Sequence, residues 1–187
     1  GVMTTLAELG LDPNARSLAG YRKYFSAQDP GKHVDRVLRV AGVESLTMTN
    51  DPFDDNERNR WVTGAARGSD IFRPVLRIDP MLIAWPQAAA RMAQWGFGVT
   101  PEPEGATIKE ARRFLEEWLD RTRAVYVAAS LPPEFRYHVL DDSTEAWDGE
   151  EVLRGAVLPV CAERGLPFAM MVGVRRAVNP ELGAAGD

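Results

Sequence analysis

TIKEARRFLEEWLDRTRAVYVAAS, residues 107–130, holds the transition on which the fold depends. Ile108, Ala111, Leu115, Trp118 and Leu119 recur at helical spacing and form one apolar stripe. Thr107 is followed three residues later by Glu110, the spacing of a capping box, so the helix is expected to open there. Ala124 to Ala129 is then short and continuously apolar, as a strand is when both of its faces are covered. A helix running into a doubly covered strand is the repeating piece of a parallel α/β sheet, in which long helical crossovers return the chain to the same edge.

Upstream, a strand is expected over Ile71 to Ile78, with Phe72, Leu76 and Ile78 on one face and Arg73, Val75, Arg77 and Asp79 on the other. An earlier strand, Val43 to Thr49, ends in Asn50-Asp51-Pro52, and the polar stretch from Asp54 to Arg67 reads as a helix or helical loop. A helix is expected from Pro80 to Trp95, stopped by Gly96. Downstream, Ser130-Leu131-Pro132-Pro133 opens a loop holding Tyr137 and His138. Asp148 with Glu151 then starts a helix that Pro159 disturbs, and Pro167 to Val172 is the fourth strand. Before all of these come helical segments without a strand, the clearest carrying Val34, Val37, Leu38 and Ala41 at i, i+3, i+4 and i+7.

The expected fold is therefore α/β, parallel βα units forming part of a TIM (β/α)₈ barrel. The expected organisation is a single domain over 1–187, with an N-terminal helical segment at 1–42 and four βα units at 43–187. A full barrel takes about 250 residues and eight strands, so the barrel is expected to be incomplete. An open, doubly wound four-stranded sheet is the alternative.

Composition narrows the function classes. With 45% hydrophobic and 26% charged residues the chain is of ordinary globular type. A net charge of −5 argues against a nucleic-acid or anionic-membrane surface. No apolar run is long enough to cross a bilayer. The one cysteine, Cys161, lies in an apolar helical pattern and reads as a core residue, and a cytoplasmic setting is expected. There is no glycine-rich nucleotide loop, no Gly-x-Ser-x-Gly elbow, and no His-x-His or His-Glu-x-x-His.

Chemistry in parallel α/β folds gathers where the strands end, because loops vary there while the sheet stays rigid. Those ends carry Thr49, Asn50 and Asp51, then Arg77 and Asp79, then Ser130, then Arg175 and Arg176. Guanidinium, carboxylate and hydroxyl groups without a Cys/His metal set suit a small anionic, oxygen-rich ligand. Each candidate has a plainer alternative. Arg73, Arg77 and Asp79 can pair with one another, Asp51 can serve the turn before the next helix, and Arg175-Arg176 can be solvated. Of the two histidines, His33 is expected at the surface of a helix, and His138 is the one placed for acid–base work.

Met48-Thr49-Asn50-Asp51-Pro52-Phe53-Asp54 followed by Phe72-Arg73-Pro74 resembles the Thr-Thr-Asp-Asp-Pro…Asp and Phe/Trp-Arg-Pro-Asp pair of the uronate (glucuronate) isomerases, a branch of the amidohydrolase superfamily. Met170 to Arg176 with Asn179 resembles that family's Leu-His-Ile-Gly-Ala-x-Arg-Asn segment, and Gly183 to Asp187 its Gly-x-Asp continuation. The resemblance implies a metal-dependent hydrolase-like (β/α)₈ barrel that interconverts an aldehyde-form hexuronate and its keto isomer, such as D-glucuronate and D-fructuronate. It implies Arg73 as the arginine for the sugar carboxylate and Asp51 in the loop beside the substrate. Arg77, on the same strand face and roughly 13 Å nearer the strand's end, is the second candidate.

The departures concern the metal. The family's His-x-His strand and its last-strand aspartate have no counterpart in this chain, Met171 replaces a strand histidine, and Val75 replaces the aspartate after Arg-Pro. A divalent metal such as zinc is thus expected only if its ligands come from other segments. Three readings follow: a uronate isomerase-like enzyme in its intact form, with Asp51, Asp79 and His138 as catalytic candidates and Asn50, Arg73, Arg77 and Arg175 as substrate-binding ones; a non-catalytic sugar-acid or anion binder; and a purely structural piece. Open sheet edges also predict a homo-oligomer or association with missing barrel segments.

Overall fold

The structure, a computed structural model, describes residues 1–66, 71–133, 135, 137, 148–173, 179 and 181. The chain packs into two compact units, Gly1–Leu46 and Thr47–Asp187.

The first unit holds α1 (Val2–Glu8), α2 (Ala19–Ser26) and α3 (Pro30–Val40). Asp29 caps α3 by accepting the Lys32 N–H at 2.9 Å, and Pro30 occupies the first helical position, where no N–H is needed. Arg36 ties the unit together, donating to the Tyr24 hydroxyl at 2.8 Å and the Leu9 carbonyl at 2.9 Å. His33 is not the surface residue its neighbour Lys32 suggested. It is half-buried, with its ring edge-on to Phe25 at 5.6 Å and to Tyr24 at 6.4 Å.

The second unit is built on one sheet in the order β1 (Leu46–Asn50), β2 (Phe72–Arg77), β3 (Val127–Leu131), β4 (Phe168–Val172). β2 and β3 pair in parallel with Arg77 opposite Ala128, and β3 and β4 pair in parallel from Val127–Phe168 to Leu131–Val172. The α/β class and the parallel arrangement are those expected of consecutive barrel units. Ser130 lies inside β3, which starts three residues later and ends two residues further than the apolar run Ala124–Ala129 suggested, because β4 supplies a ladder partner as far as Val172.

Helices alternate with these strands: α4 (Asp55–Val62), α5 (Asp79–Ile83), α6 (Trp85–Gln94), α7 (Gly105–Thr122), α8 (Asp148–Val152) and α9 (Leu158–Arg164). The single helix expected over 80–95 is two. Pro86 lacks an N–H and its ring opposes the carbonyl four residues back, so the chain breaks at Ala84 with φ −150° and ψ 53°. Pro159 acts in the same way further on, where a π-helical turn over Leu153–Val157 widens the backbone between α8 and α9.

Thr107 and Glu110 do not form the expected capping box. Gly105, with φ 50°, lets α7 begin two residues earlier, and Glu104 stands at its cap without a side-chain bond. Thr107 instead accepts the Thr100 N–H at 3.2 Å and Glu110 accepts the Gly98 N–H at 2.8 Å. The two side chains that seemed to start the helix in fact fasten the preceding loop to it.

Phe114 lies at the centre of the core between the sheet and its helices. Its ring is 5.2 Å from Phe97, 5.5 Å from Phe53 and 6.2 Å from both Trp95 and Trp118. Arg58 lies over Trp95 at 4.0 Å, so α4 is held to this aromatic group by a cation–π contact. Cys161 is buried, and desolvation pushes its thiol up to about 11, so it stays protonated and unreactive.

α7 ends on Arg123 in the left-handed region, φ 54°, where it donates to the Leu119 carbonyl at 2.8 Å. Side chains with a Cβ are disfavoured in that conformation and glycine is not. Arg123→Gly is therefore expected to stabilise the protein by about 0.5–1 kcal/mol, read from the urea midpoint. A loss of stability would mean that the arginine stem packs usefully against Leu119, Arg164 and Leu166, which line the same shallow cleft.

Candidate functional site

Three consecutive strands deliver polar side chains to one end of the sheet. β1 ends at Asn50 with Asp51 next, β2 ends at Arg77 with Asp79 two residues on, and β3 carries Ser130 near its end. In a parallel sheet these positions fall side by side at the C-terminal rim.

Arg77, Asp79 and Ser130 form one bonded group. Arg77 directs Nε at 2.9 Å and Nη2 at 2.6 Å to a single oxygen of Asp79, and Nη2 also reaches the Ser130 hydroxyl at 3.2 Å. The other Asp79 oxygen accepts the Ser130 N–H at 3.0 Å, so the carboxylate joins the ends of β2 and β3. The hydrogen bond to Asp79 raises the Arg77 pKa further above an already high value. Its Nη1 takes no part in these bonds, and the side chain is 38% exposed.

Asp51 is anchored at both ends of its peptide. Its Oδ1 accepts the Phe53 N–H at 2.7 Å, the Asx turn that the residue order Asp51-Pro52 suggested, and its own N–H donates to Glu57 Oε2 at 2.7 Å. Burial raises the Asp51 pKa most, the Phe53 N–H opposes that, the charges of Asp79 and Glu57 raise it again, and Arg77 lowers it. The outcome is a carboxyl that holds a proton more readily than an exposed one. Asn50 is 6% exposed, and its buried Oδ1 meets no donor among the described residues. Beside it opens a cleft of about 570 Å³ lined by Met48, Thr49, Asn50, Glu57, Arg60 and Trp61.

The structure thus brings Asn50, Asp51, Arg77, Asp79 and Ser130 to one rim. Arg73 stands apart: it is exposed near the start of β2, four residues and roughly 13 Å before Arg77. His138, Arg175, Arg176 and Gly183 to Asp187 lie outside the described residues. Glu57 was not singled out from the sequence, although the Asp54-x-x-Glu57 spacing was there to mark it as a side chain that turns back on its own loop.

Among the described residues no three His, Cys, Asp or Glu side chains gather as metal ligands. Met171, at the family's histidine position, pairs with Ser130 in the ladder and offers only a thioether. The donors present therefore do not fit a catalytic divalent ion, which takes imidazole and carboxylate ligands. Among the same residues no helix is long and apolar enough to cross a membrane.

Neither a protein-family model nor a curated protein matches this chain. Solved structures do. Over its whole length the chain is similar to a uronate isomerase from Bacillus halodurans C-125, with 42% identity and a TM-score of 0.84, and it spans 42% of that chain. A glucuronate isomerase from Caulobacter crescentus matches 79% of this chain and 34% of its own at 16% identity, with a TM-score of 0.48. The chain covers less than half the length of the Bacillus isomerase it is similar to.

Proposed function

We propose that the intact protein isomerises a hexuronate such as D-glucuronate between its aldehyde and keto forms, and that this chain supplies part of the substrate rim. The observation that carries the reading is the 42% identity to a uronate isomerase over every residue of the chain. The strand-end chemistry agrees with it.

Aldose–ketose isomerisation moves a proton between adjacent carbons through an enediol, so it needs a group that exchanges protons and an anchor that fixes the sugar acid. Arg77 is the anchor in this reading, meeting the sugar carboxylate with its outer edge while Asp79 and Ser130 keep the guanidinium plane from turning. Arg73 remains the alternative anchor that the family likeness names, and Arg175 a further contact. Asp51, whose carboxyl burial keeps protonatable, is the proton-exchanging group, and Asn50 offers a hydroxyl-binding amide beside it. Asp79, engaged with Arg77, orients rather than reacts. A divalent metal such as zinc, where the intact protein uses one, would take its ligands from other segments, since no three His, Cys, Asp or Glu side chains gather among the described residues. A cytoplasmic setting belongs to the same reading.

Both outer strands leave apolar side chains uncovered. Met170, Met171 and Val172 of β4 are each 44–46% exposed, and Met48 of β1 is 46% exposed. Parallel strands are normally covered on both faces. Further βα segments, or a second copy, are the partners that would cover these edges.

The test is a melting series of the 187-residue protein with D-glucuronate, D-fructuronate and, as a neutral control, D-glucose. A hexuronate that binds raises the transition in proportion to its concentration, by about 2.7 kcal/mol at a hundred times Kd, and glucose does not. Exchange of the sugar's C2 proton with solvent, followed by NMR on the intact protein, then separates an isomerase from a binder. Stabilisation without exchange favours the non-catalytic sugar-acid binder. No response to any hexuronate overturns the proposal and leaves the structural reading.

A further inference from the structure

The loop from β1 into α4 reads Asn50-Asp51-Pro52-Phe53-Asp54, and its donors are bound in an unusual order. Asp54 caps α4, accepting the Glu57 N–H at 2.9 Å. In a capping box the residue at the Glu57 position would return its carboxylate to the N–H of the cap. Here the Asp54 N–H is already taken by the Asp51 carbonyl at 3.2 Å. The Glu57 carboxylate reaches three residues further back and accepts the Asp51 N–H at 2.7 Å. Pro52 has no N–H to compete for it.

A neutral acceptor could also satisfy that N–H, though more weakly, and the choice of a carboxylate has a second consequence. Glu57 places a negative charge against the Asp51 carboxyl from the α4 side. Asp79 does the same from the start of α5, and Arg77 opposes both from the end of β2. The same glutamate lines the cleft next to Asn50, so it lies at the site and not behind it.

We infer that Glu57 is a positioning residue, clamping Asp51 at the strand end and setting the charge around its carboxyl. The inference rests on the proposed role of Asp51 as the proton-exchanging group. Glu57 itself touches no reacting atom.

Two substitutions separate the clamp from the charge. Glu57→Gln keeps an oxygen for the Asp51 N–H and removes the charge; Glu57→Ala removes both. The readouts, made on the 187-residue protein, are the carboxyl ¹³C titration of Asp51 and hydrogen exchange of its amide. Glu57→Gln is expected to shift the Asp51 midpoint downward while its amide stays protected, because a like charge that favoured the protonated form is gone. Glu57→Ala is expected in addition to speed exchange of the Asp51 amide. An unmoved midpoint in Glu57→Gln, or an Asp51 amide indifferent to Glu57→Ala, overturns the inference, and the glutamine variant decides it should the alanine variant not fold. Because neither readout needs substrate, a shifted midpoint together with no hexuronate response upholds the clamp and sinks the isomerase reading. The reverse pair of results sinks the clamp alone.

Discussion

Phe114→Ala is expected to destabilise the second unit by about 3–5 kcal/mol, the range for removing a fully buried aromatic ring. Phe114 has no exposed surface and touches Phe53 from the β1–α4 loop, Trp95 and Phe97 after α6, and Trp118 on its own helix. Three segments, the β1–α4 loop, the stretch after α6 and α7 itself, therefore lose a common partner at once. Collapse into the void is hindered, because Arg58 lies over the Trp95 ring at 4.0 Å and holds it from the α4 side. A domain with ~5–15 kcal/mol of total stability loses a large share of it. Tryptophan fluorescence in urea is the measurement, since Trp95 and Trp118 report on this cluster. A loss under about 1.5 kcal/mol would mean that the aromatic group repacks and is not the keystone of the sheet–helix layer.

Arg77→Ala is expected to weaken hexuronate binding roughly 10- to 150-fold, the equivalent of the ~1.5–3 kcal/mol carried by a hydrogen bond to a charged group. Fold stability should change little by comparison, because the side chain is over a third exposed and its ion pair with Asp79 is screened by solvent. Arg77→Lys should not restore binding. A lysine brings the charge without the planar fork that spans Asp79 and Ser130. Arg73→Ala is the companion variant, measured by the same melting series. Binding kept in Arg77→Ala and lost in Arg73→Ala would move the carboxylate anchor to the start of β2 and end the case for the rim.

The fold was legible where periodicity is unambiguous. The run Ala124–Ala129 is short and apolar, as a strand covered on both faces is, and its last three residues open β3, which starts at Val127 and continues to Leu131. Arg77 and Asp79 stood at a strand end by counting alone. Capping was misleading at Thr107, because a glycine two residues earlier admits a positive φ that local spacing does not reveal. The pairing of Thr107 with Thr100 and of Glu110 with Gly98 joins residues 7 and 12 apart across a loop. No window of helical pattern contains that information.

The candidate site divides along the same line. Residue order alone determined that the chain is α/β, that its strands run parallel through long crossovers, and that acids and arginines sit where those strands stop. These follow from side-chain hydrophobicity and backbone sterics, which act over a few residues. Only the tertiary structure decided that Arg77 joins Asp79 and Ser130 while Arg73 stays outside, and that Glu57 closes on Asp51. Hydrogen bonds and desolvation depend on distances between atoms that strand register brings together, 53 residues apart in the case of Arg77 and Ser130. Register is a property of the assembled sheet, and no single segment carries it.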